Sequence, residues 1–501
     1  MHSALGIQEI VEAIFAQVVV APLNVSPHKG ERDLAQAARC CQQFSGPALD
    51  RLWSRMWDLK PLLDLLEVFC EDEGTWILRG QVRRTAWTRF TTYSARIRTL
   101  YYTNDRRHFP RIDASVFIQL RRLSQGQLLF PRLRELHFTA AWLPVPELLL
   151  FQSESMLTLE FQCEAGRNVN MDYALPSYFF SLPDTCRLRS LSLSGRTSQL
   201  SVASLVRFPL QKLSISGTPW AIDSKTIGVI LKLEHLVDLH LDLRNADFDN
   251  MELPQDGGLA LVDLSLTSSA RSISSFLNKF PVATNTLRRL CFREYITDDA
   301  DLALLADQWR DLFRACARYS GFVRHVCATV QVIGGVSPVS GAPGMRILEP
   351  LLSCRLIDDF IMMGFPPTSF TDRDLSVLAA AWPALVSLNL PSAPPSAAPS
   401  ASALSAFSRW CPNLADMSVS VHTRDAGAQL RALDPAQMNA HSLRSLLIDG
   451  QPVGSSAPEV LALLVAMFPQ LDWVGSTNGA DDLWGEVNTL LLQLRKPAAG
   501  S

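Results

Sequence analysis

Hydrophobic residues recur along most of the chain in the pattern apolar-x-x-apolar-x-apolar. The pattern is typical of a short strand with alternate side chains in a core. The clearest copies are Leu133/Leu136/Phe138, Leu188/Leu191/Leu193, Leu210/Leu213/Ile215, Leu236/Leu239/Leu241, Leu261/Leu264/Leu266, Leu287/Leu290/Phe292, Leu385/Leu388/Leu390, Leu414/Met417/Val419 and Leu443/Leu446/Ile448. Weaker copies begin at Ile97, Met156, Val323, Ile357 and Leu471. Together they predict fourteen strands between residues 97 and 471, at a mean spacing of about 29 residues.

The segments between these strands predict helices. Thr371 and Asp374 have the spacing of a capping box, and Leu375, Leu378 and Trp382 follow at helical spacing. Similar stripes are Leu302/Leu305/Trp309/Leu312/Cys316 and Leu461/Leu464/Val465/Phe468. A proline follows the last apolar residue of several such segments, at Phe130-Pro131, Trp382-Pro383, Cys411-Pro412 and Phe468-Pro469. Because proline disfavours helical backbone in the preceding residue, each pair predicts a turn from helix to strand.

A strand and a helix in every period of about 29 residues predict an α/β fold, the leucine-rich-repeat solenoid (horseshoe). The alternative, a doubly wound α/β domain, would not repeat the same proline turn before successive strands. Leu239 is predicted to be a core residue, and Asp242, just past the apolar positions of that strand, is predicted to tolerate alanine. Residues 391–403 contain only Pro, Ser and Ala and predict a flexible excursion, and residues 334–344 predict a second Gly/Pro loop.

The chain before the first repeat predicts three short helices. The first has a continuous apolar stripe formed by Ile7, Ile10, Val11, Ile14, Phe15 and Val18. The second has Leu34, Ala38, Cys41 and Phe44, and the third, after Gly46-Pro47, has Leu49, Leu52, Trp53 and Met56. Three short helices in about 50 residues cannot bury this apolar surface among themselves, so a protein partner is expected.

Composition and charge narrow the class of protein. The 501 residues are 48% hydrophobic, and 46 basic residues balance 49 acidic ones, which argues against nucleic-acid binding and an acidic tail. No apolar run reaches the roughly 18 residues of a membrane span, and Glu9 and Glu12 are out of place in a secretory signal. Ten cysteines without a CxxC motif indicate thiols in a reducing compartment. We therefore expect an intracellular, cytoplasmic and/or nuclear protein without membrane contact.

No catalytic or cofactor-binding motif is present. The sequence contains no GxSxG, GxxxxGK[ST] or HExxH, and no Cys/His set with zinc spacing. His325 and Cys327 would project from one face of a strand, but two ligands without two more do not make a metal site. Cys40 and Cys41 are adjacent, and Cys41 fills a core position of the second helix. The expectation is a protein that is not an enzyme, with no cofactor and no bound metal.

A strongly basic stretch runs from Arg79 to Arg134. It contains thirteen arginines, no lysine and two acidic residues, Asp105 and Asp113. Aromatic residues lie between the arginines and permit stacking. Three readings stay open: a solvated surface, a nucleic-acid-binding surface, or a site for an acidic or phosphorylated protein partner. For the last, the binding residues would be Arg83, Arg84, Arg106 and Arg107.

Residues 1–56 resemble an F-box. Residues 4–15 (ALGIQEIVEAIF), 34–44 (LAQAARCCQQF) and 47–53 (PALDRLW) are similar to its three helices, and residues 87–100 (WTRFTTYSARIRTL) are similar to the segment before the repeats in F-box/leucine-rich-repeat proteins of mushroom-forming fungi. The family's proline near Glu9 is absent, with Ile7 and Gln8 before the glutamate. The resemblance implies an adaptor-binding face formed by Leu5, Ile7, Ile10, Ile14, Phe15, Leu34, Cys41, Leu52 and Trp53.

The resemblance also implies a domain order and a function. Residues 1–56 would be the F-box-like domain, 57–96 a helical linker, 97–495 the repeats and 496–501 a tail. The chain would be a substrate receptor of a cullin-type ubiquitin ligase, docking on the Skp-type adaptor and binding a protein target through its repeats. Two alternatives are a repeat scaffold with a degenerate F-box and an Arg-dependent nucleic-acid binder.

Overall fold

The described residues form two compact units. The first comprises residues 1–220 and 232–236, and the second comprises residues 221–231 and 237–501. The computed structural model describes residues 7–18, 28–103, 111–140, 146–163, 174–195, 202–217, 222, 224–244, 246, 248, 259–280, 286–297, 301–333, 342–393, 397–433, 441–448, 455–476 and 482–495. Among these residues, no helix has the length and apolar character that crossing a membrane requires.

The first unit begins with helices and continues as alternating strands and helices. Its helices are α1 (Gln8–Ala16), α2 (His28–Cys40), α3 (Gln42–Trp53), α4 (Lys60–Leu63), α5 (Arg84–Ser94), α6 (Ala114–Ser124) and α7 (Ala174–Ser181). Its strands are β1 (Arg55–Met56), β2 (Phe69–Asp72), β3 (Thr75–Leu78), β4 (Thr99–Thr103), β5 (Arg111–Ile112), β6 (Glu135–Ala140), β7 (Thr158–Cys163), β8 (Ser190–Ser194) and β9 (Lys212–Ser216). Two 3-10 turns cover Pro146–Leu150 and Val202–Arg207.

A parallel sheet in the order β1-β4-β6-β7-β8-β9 forms the body of the first unit. Its register places the same position of each repeat side by side, in a buried row of Leu100, Leu136, Leu159, Leu191 and Leu213. The intervening side chains lie on the opposite face of the sheet, which we call the open face. The predicted strand positions are confirmed here, because alternation along each strand separates core from open face.

The segment 57–96 is not the purely helical linker that the sequence predicted. Strands β2 and β3 form an antiparallel hairpin inside it, and β5 adds to β3 in parallel. Glu73 and Gly74 both have positive φ, at 49° and 75°, as a two-residue type I′ hairpin turn requires. The pairing of β1 with β4 also starts the parallel sheet before residue 97, earlier than predicted.

The second unit contains the remaining helices and strands. Its helices are α8 (Ser224–Ile230), α9 (Ala270–Lys279), α10 (Leu302–Ala317), α11 (Gly344–Leu348), α12 (Asp372–Ala381), α13 (Ser405–Trp410), α14 (Ala426–Ala432), α15 (Ala457–Met467) and α16 (Asp482–Arg495). Its strands are β10 (Asp238–Asp242), β11 (Asp263–Thr267), β12 (Arg289–Thr297), β13 (His325–Ile333), β14 (Ala342–Pro343), β15 (Asp359–Met363), β16 (Thr368–Ser369), β17 (Ser387–Asn389), β18 (Asp416–Val419), β19 (Ser445–Ile448) and β20 (Trp473–Ser476). Two 3-10 turns cover Glu349–Ser353 and Ala401–Leu404.

A second parallel ladder, β10-β11-β12-β13-β15-β17-β18-β19-β20, forms the body of this unit. Its buried row is Leu239, Leu264, Leu290, Val326, Phe360, Leu388, Met417, Leu446 and Val474. Both units therefore have the strand-and-helix repeat of an α/β leucine-rich-repeat protein, and a strand follows each of the fourteen predicted starts.

Helix ends follow the sequence signals closely. The capping box of Thr371 and Asp374 is present at the start of α12. Trp382, Cys411 and Phe468 end their helices with nearly the same backbone, φ between −119° and −133° and ψ between 66° and 79°. A proline follows each of these buried residues, so the predicted turn from helix to strand is confirmed at these three positions.

Two positions that the sequence predictions treat as tolerant of change are held by specific contacts. Asp242 is 4% exposed, and its carboxylate accepts hydrogen bonds from Arg244 through both oxygens, at 2.9 Å from Nε to Oδ1 and 2.6 Å from Nη2 to Oδ2. The segment 391–403 is also anchored where it is described. Ser400 donates from its backbone N and its Oγ to Asp372, both at 2.7 Å, and Ala401 is fully buried. The predicted tail 496–501 lies outside the described residues.

Candidate protein-interaction surfaces

Helices α1, α2 and α3 share a small core of their own. Leu34 and Ala48 are fully buried there, and Phe15, Leu52 and other partly buried side chains pack against them. Phe15 contacts Phe44 edge to face, with ring centroids 5.7 Å apart. Arg51 donates to the backbone O of Val18 at 3.1 Å, which ties the end of α1 to α3. Leu34, Phe15 and Leu52 thus face the inside of this helical group, although the resemblance placed them on a docking face.

The apolar stripe of α1 lies partly outside this core. Ile7, Ile10 and Ile14 are 48%, 38% and 48% exposed, whereas Val11 on the same helix is buried. Three branched aliphatic side chains at i, i+3 and i+7 form one continuous apolar strip on the helix. Large exposed apolar strips of this kind mark contact surfaces for other molecules.

The remaining predicted adaptor-binding residues lie in different surroundings. Trp53 is half-buried and packs against Tyr93 of α5, with ring centroids 4.7 Å apart. Cys41 is half-buried at the start of α3, in extended backbone. Leu5 lies outside the described residues. The structure thus brings Ile7, Ile10 and Ile14 together at the surface and leaves Trp53 and Cys41 at the edges of the helical group.

The described arginines of the basic stretch are partly neutralised. Arg79 pairs with Asp72 at 3.0 Å, Arg83 pairs with Glu67 at 3.3 Å, and Arg96 pairs with Asp50. These acidic residues precede the stretch in sequence. The charge balance within residues 79–134 therefore does not include the acidic partners of these arginines. Arg83 and Arg84 lie at the start of α5 and are exposed, whereas Arg106 and Arg107 lie outside the described residues.

The open face of the first unit carries a stack of rings that sequence reasoning did not single out. Trp57 stacks on Tyr101 with centroids 4.1 Å apart, and Tyr101 stacks on His137 at 4.3 Å. His137 Nδ1 is 2.6 Å from Glu160 Oε2 on the next strand. The signal was available, because Tyr101, His137 and Glu160 occupy the same outward position of consecutive repeats. The stack gives this face a flat aromatic surface beside a charged group.

The open face of the second unit is polar and charged. Arg289 pairs with Asp263 at 3.3 Å, His240 Nδ1 is 2.8 Å from Ser265 Oγ, and Arg244 lies over the ring of Tyr295. Across the described part of the chain, no group of three or more His, Cys, Asp or Glu residues is arranged to hold a metal ion. The exposed chemistry of both open faces is hydrogen bonding, charge and aromatic stacking.

Comparisons with known proteins give one structural similarity to report and no family. No family model matches the chain, and no curated protein matches it. Among solved structures, it is similar to the leucine-rich-repeat-containing protein LegL7 from Legionella pneumophila at 13% identity, with a TM-score of 0.32. That similarity covers 68% of this chain and 99% of LegL7. The leucine-rich-repeat assignment rests on the strand register and helix positions of the chain itself.

Proposed function

We propose that this protein is a non-catalytic substrate receptor of a cullin-type ubiquitin ligase. In this proposal, α1–α3 bind a Skp-type adaptor, and the repeats bind a protein target. The observation that carries the proposal is the exposed strip of Ile7, Ile10 and Ile14 on a helical group that resembles an F-box. Such a receptor acts by proximity, because it holds a target close to the group that is transferred, and its own residues break no bond.

The docking face that we propose is smaller than the set of residues predicted from the sequence. Leu34 is 1% exposed and has little surface to offer a partner, and Phe15 and Leu52 contact the core of the same helical group. The proposed contact is therefore centred on Ile7, Ile10 and Ile14, with Trp53 and Cys41 at its margin. A cytoplasmic and/or nuclear location, where the ligase operates, is part of the same proposal.

Co-purification with a Skp-type adaptor tests this proposal. The full-length chain is expressed with the adaptor, and Ile10→Asp plus Ile14→Asp is expected to weaken binding at least about tenfold, because a charge is then buried in an apolar contact. The matched control is Leu492→Asp plus Leu494→Asp, two exposed leucines of α16, which should leave binding unchanged. Since the isoleucines are exposed, all variants should keep the wild-type melting temperature.

Adaptor binding that survives the isoleucine changes would refute the docking face. A wild-type chain that never binds the adaptor would leave the alternative, a repeat scaffold with a degenerate F-box. For the nucleic-acid alternative, Arg79, Arg83 and Arg96 are each paired with a carboxylate, which reduces the positive charge that the stretch can offer to phosphates.

A further inference from the structure

Two cysteines lie side by side on the open face of the second unit. In the parallel pairing of β12 with β13, Cys291 is directly opposite Cys327. Their neighbours Leu290, Phe292, Val326 and Ala328 are buried in the core, so both thiols project from the other face, where each is half-buried. Neighbouring strands are about 4.7–4.9 Å apart, which lies within the Cα separations that a disulfide spans, about 4.4–6.8 Å.

An imidazole and a carboxylate complete the arrangement. His325 precedes Cys327 by two residues on the same face of β13, and its Nδ1 is 2.7 Å from Asp359 Oδ2 on β15. Asp359 makes the largest contribution and Cys327 a smaller one to raising the pKa of His325 to about 9. The imidazole is therefore a cation at neutral pH and can deliver a proton beside the thiols.

Cys327 is surrounded by hydrogen-bond donors. The Cys291 thiol makes the largest contribution, and His325 and Thr329 add to it, so the pKa of Cys327 is lowered despite its partial burial. Thr329 Oγ1 is 3.8 Å from Cys327 Sγ. The pKa of Cys291 is raised in turn, because its proton is held in the bond to Cys327. The interaction between the two thiols thus lowers the pKa of Cys327 and raises that of Cys291.

The thiols in the core of the same unit lack this environment. Burial raises the pKa of Cys354 to about 11 and that of Cys411 to about 12, and it raises the pKa of Cys316 as well. A thiol that is protonated and enclosed is a poor nucleophile. Reactivity in the described part of this unit is therefore concentrated at the Cys291–Cys327 pair.

We propose that Cys291 and Cys327 are a hydroperoxide-sensitive dithiol, oxidised to a disulfide across the open face. The Cys327 thiolate attacks one oxygen of hydrogen peroxide, so an S–O bond forms as the O–O bond breaks. Sulfur loses two electrons, and the departing hydroxide takes the His325 proton and leaves as water. Cys291 then attacks the sulfenic sulfur, an S–S bond forms, the S–O bond breaks, and hydroxide leaves with the Cys291 proton as a second water.

Peptide mapping of the full-length chain under non-reducing conditions tests the proposal. The reduced protein is treated with one equivalent of hydrogen peroxide, and the expected product is an intramolecular Cys291–Cys327 crosslink. In Cys291→Ser the hydroxyl still donates to Cys327, but no disulfide can form, so dimedone should trap a sulfenic acid at Cys327. Cys327→Ser should show neither product, and unchanged melting of the reduced variants verifies that they fold.

A pH profile separates an activated thiolate from a merely accessible thiol. Iodoacetamide labelling of an ordinary thiol slows about tenfold per pH unit below its pKa. Labelling of Cys327 should stay nearly constant from about pH 8 to about pH 6 in the wild type and become steeper in Cys291→Ala and in His325→Gln, with exposed Cys40 as internal reference. The proposal would be overturned if peroxide first produced crosslinks at other cysteines. It would also be overturned if the labelling rate of Cys327 followed that of Cys40 at every pH.

Discussion

Individual buried polar side chains in this protein are held by specific partners. Trp309 Nε1 donates to Glu294 Oε2 at 2.6 Å, and Glu294 also accepts the backbone N–H of Ala270 at the start of α9. Burial still raises the pKa of Glu294. Asp242 is held in the same way by Arg244. Since an unpaired buried polar group costs about 1–3 kcal/mol, these positions tolerate substitution poorly even though they are polar.

His441 shows how such a network makes stability depend on pH. It is 1% exposed, its Nε2 is 2.8 Å from the backbone O of Cys411, and its Nδ1 accepts the backbone N–H of Leu443 at 3.1 Å. Because Nδ1 accepts, the tautomer with hydrogen on Nε2 satisfies both contacts. Burial lowers the pKa of His441 below its ordinary 6.5, outweighing the bond to Cys411. The folded state therefore favours the neutral form of the His441 side chain.

We predict that protonation of His441 destabilises the fold in mild acid. Its pKa is lowered on folding, so its contribution is present above pH 6.5 and is lost as the pH falls through the lowered value. His441→Gln should cost about 1–3 kcal/mol at neutral pH and lose less stability than the wild type on acidification to about pH 5. Urea unfolding at both pH values measures this. Exposed His235→Gln is the control, and equal acid losses for His441→Gln and wild type would contradict the prediction.

At the scale of elements, the composition of a segment is a poor guide to its contacts. Residues 391–403 contain only Pro, Ser and Ala, yet Ala393 N donates to Ser420 Oγ at 2.9 Å and Ala401 N donates to the backbone O of His422 at 3.0 Å. Small side chains can fit under neighbouring loops, and backbone groups need partners whatever their side chains. The segment thus joins the packing of α12 and α13 where it is described.

We therefore expect that deletion of residues 393–401 destabilises the protein. It removes buried Ala401 and the two hydrogen bonds from Ser400 to Asp372, with an expected loss of about 1–3 kcal/mol in the free energy of unfolding. Asp372→Ala should reproduce part of the loss, while Arg373→Ala, at the exposed next position, should stay within about 0.5 kcal/mol. Denaturant unfolding of each variant measures the change in the free energy of unfolding. A deletion as stable as the wild type would restore the flexible-excursion interpretation.

At the scale of the whole molecule, a net charge of −3 conceals an uneven distribution. The arginines between residues 79 and 134 far outnumber the acidic residues there, while acidic residues predominate elsewhere. Pairing with Asp50, Glu67 and Asp72 reduces this excess, and Arg84 remains exposed beside Arg83. Arginine matches phosphate and carboxylate with paired donors. The segment is thus suited to bind an acidic or phosphorylated target protein.

We predict that Arg83→Gln plus Arg84→Gln weakens capture of such a target and leaves adaptor binding intact. Raising the salt from about 0.05 M to about 0.5 M should mimic the loss, since the screening length falls from over ~10 Å to under ~5 Å. Pulldowns of a bound target at both salt concentrations measure this. Arg409→Gln is the control, since it changes an exposed arginine far along the sequence. Capture that is indifferent to salt and to both substitutions would identify the cluster as a solvated surface.

The sequence by itself determined the repeating elements. Strand positions from Ile97 to Leu471, the buried Leu239 and the helix ends at Trp382 and Phe468 could all be predicted. Each depends on residues within a few positions of one another, so hydrophobic period, caps and proline geometry suffice. The helical N-terminus could be predicted for the same reason, but which of its apolar residues stay exposed could not.

Only the tertiary structure decided contacts between segments that are far apart in sequence. Cys291 meets Cys327, 36 residues later, because the register of β12 against β13 places them opposite. The acids paired with Arg83 and Arg96 come from outside the basic stretch. Periodicity fixes which face a side chain takes, whereas register and loop path fix its neighbours, and these follow from the packing of the whole unit.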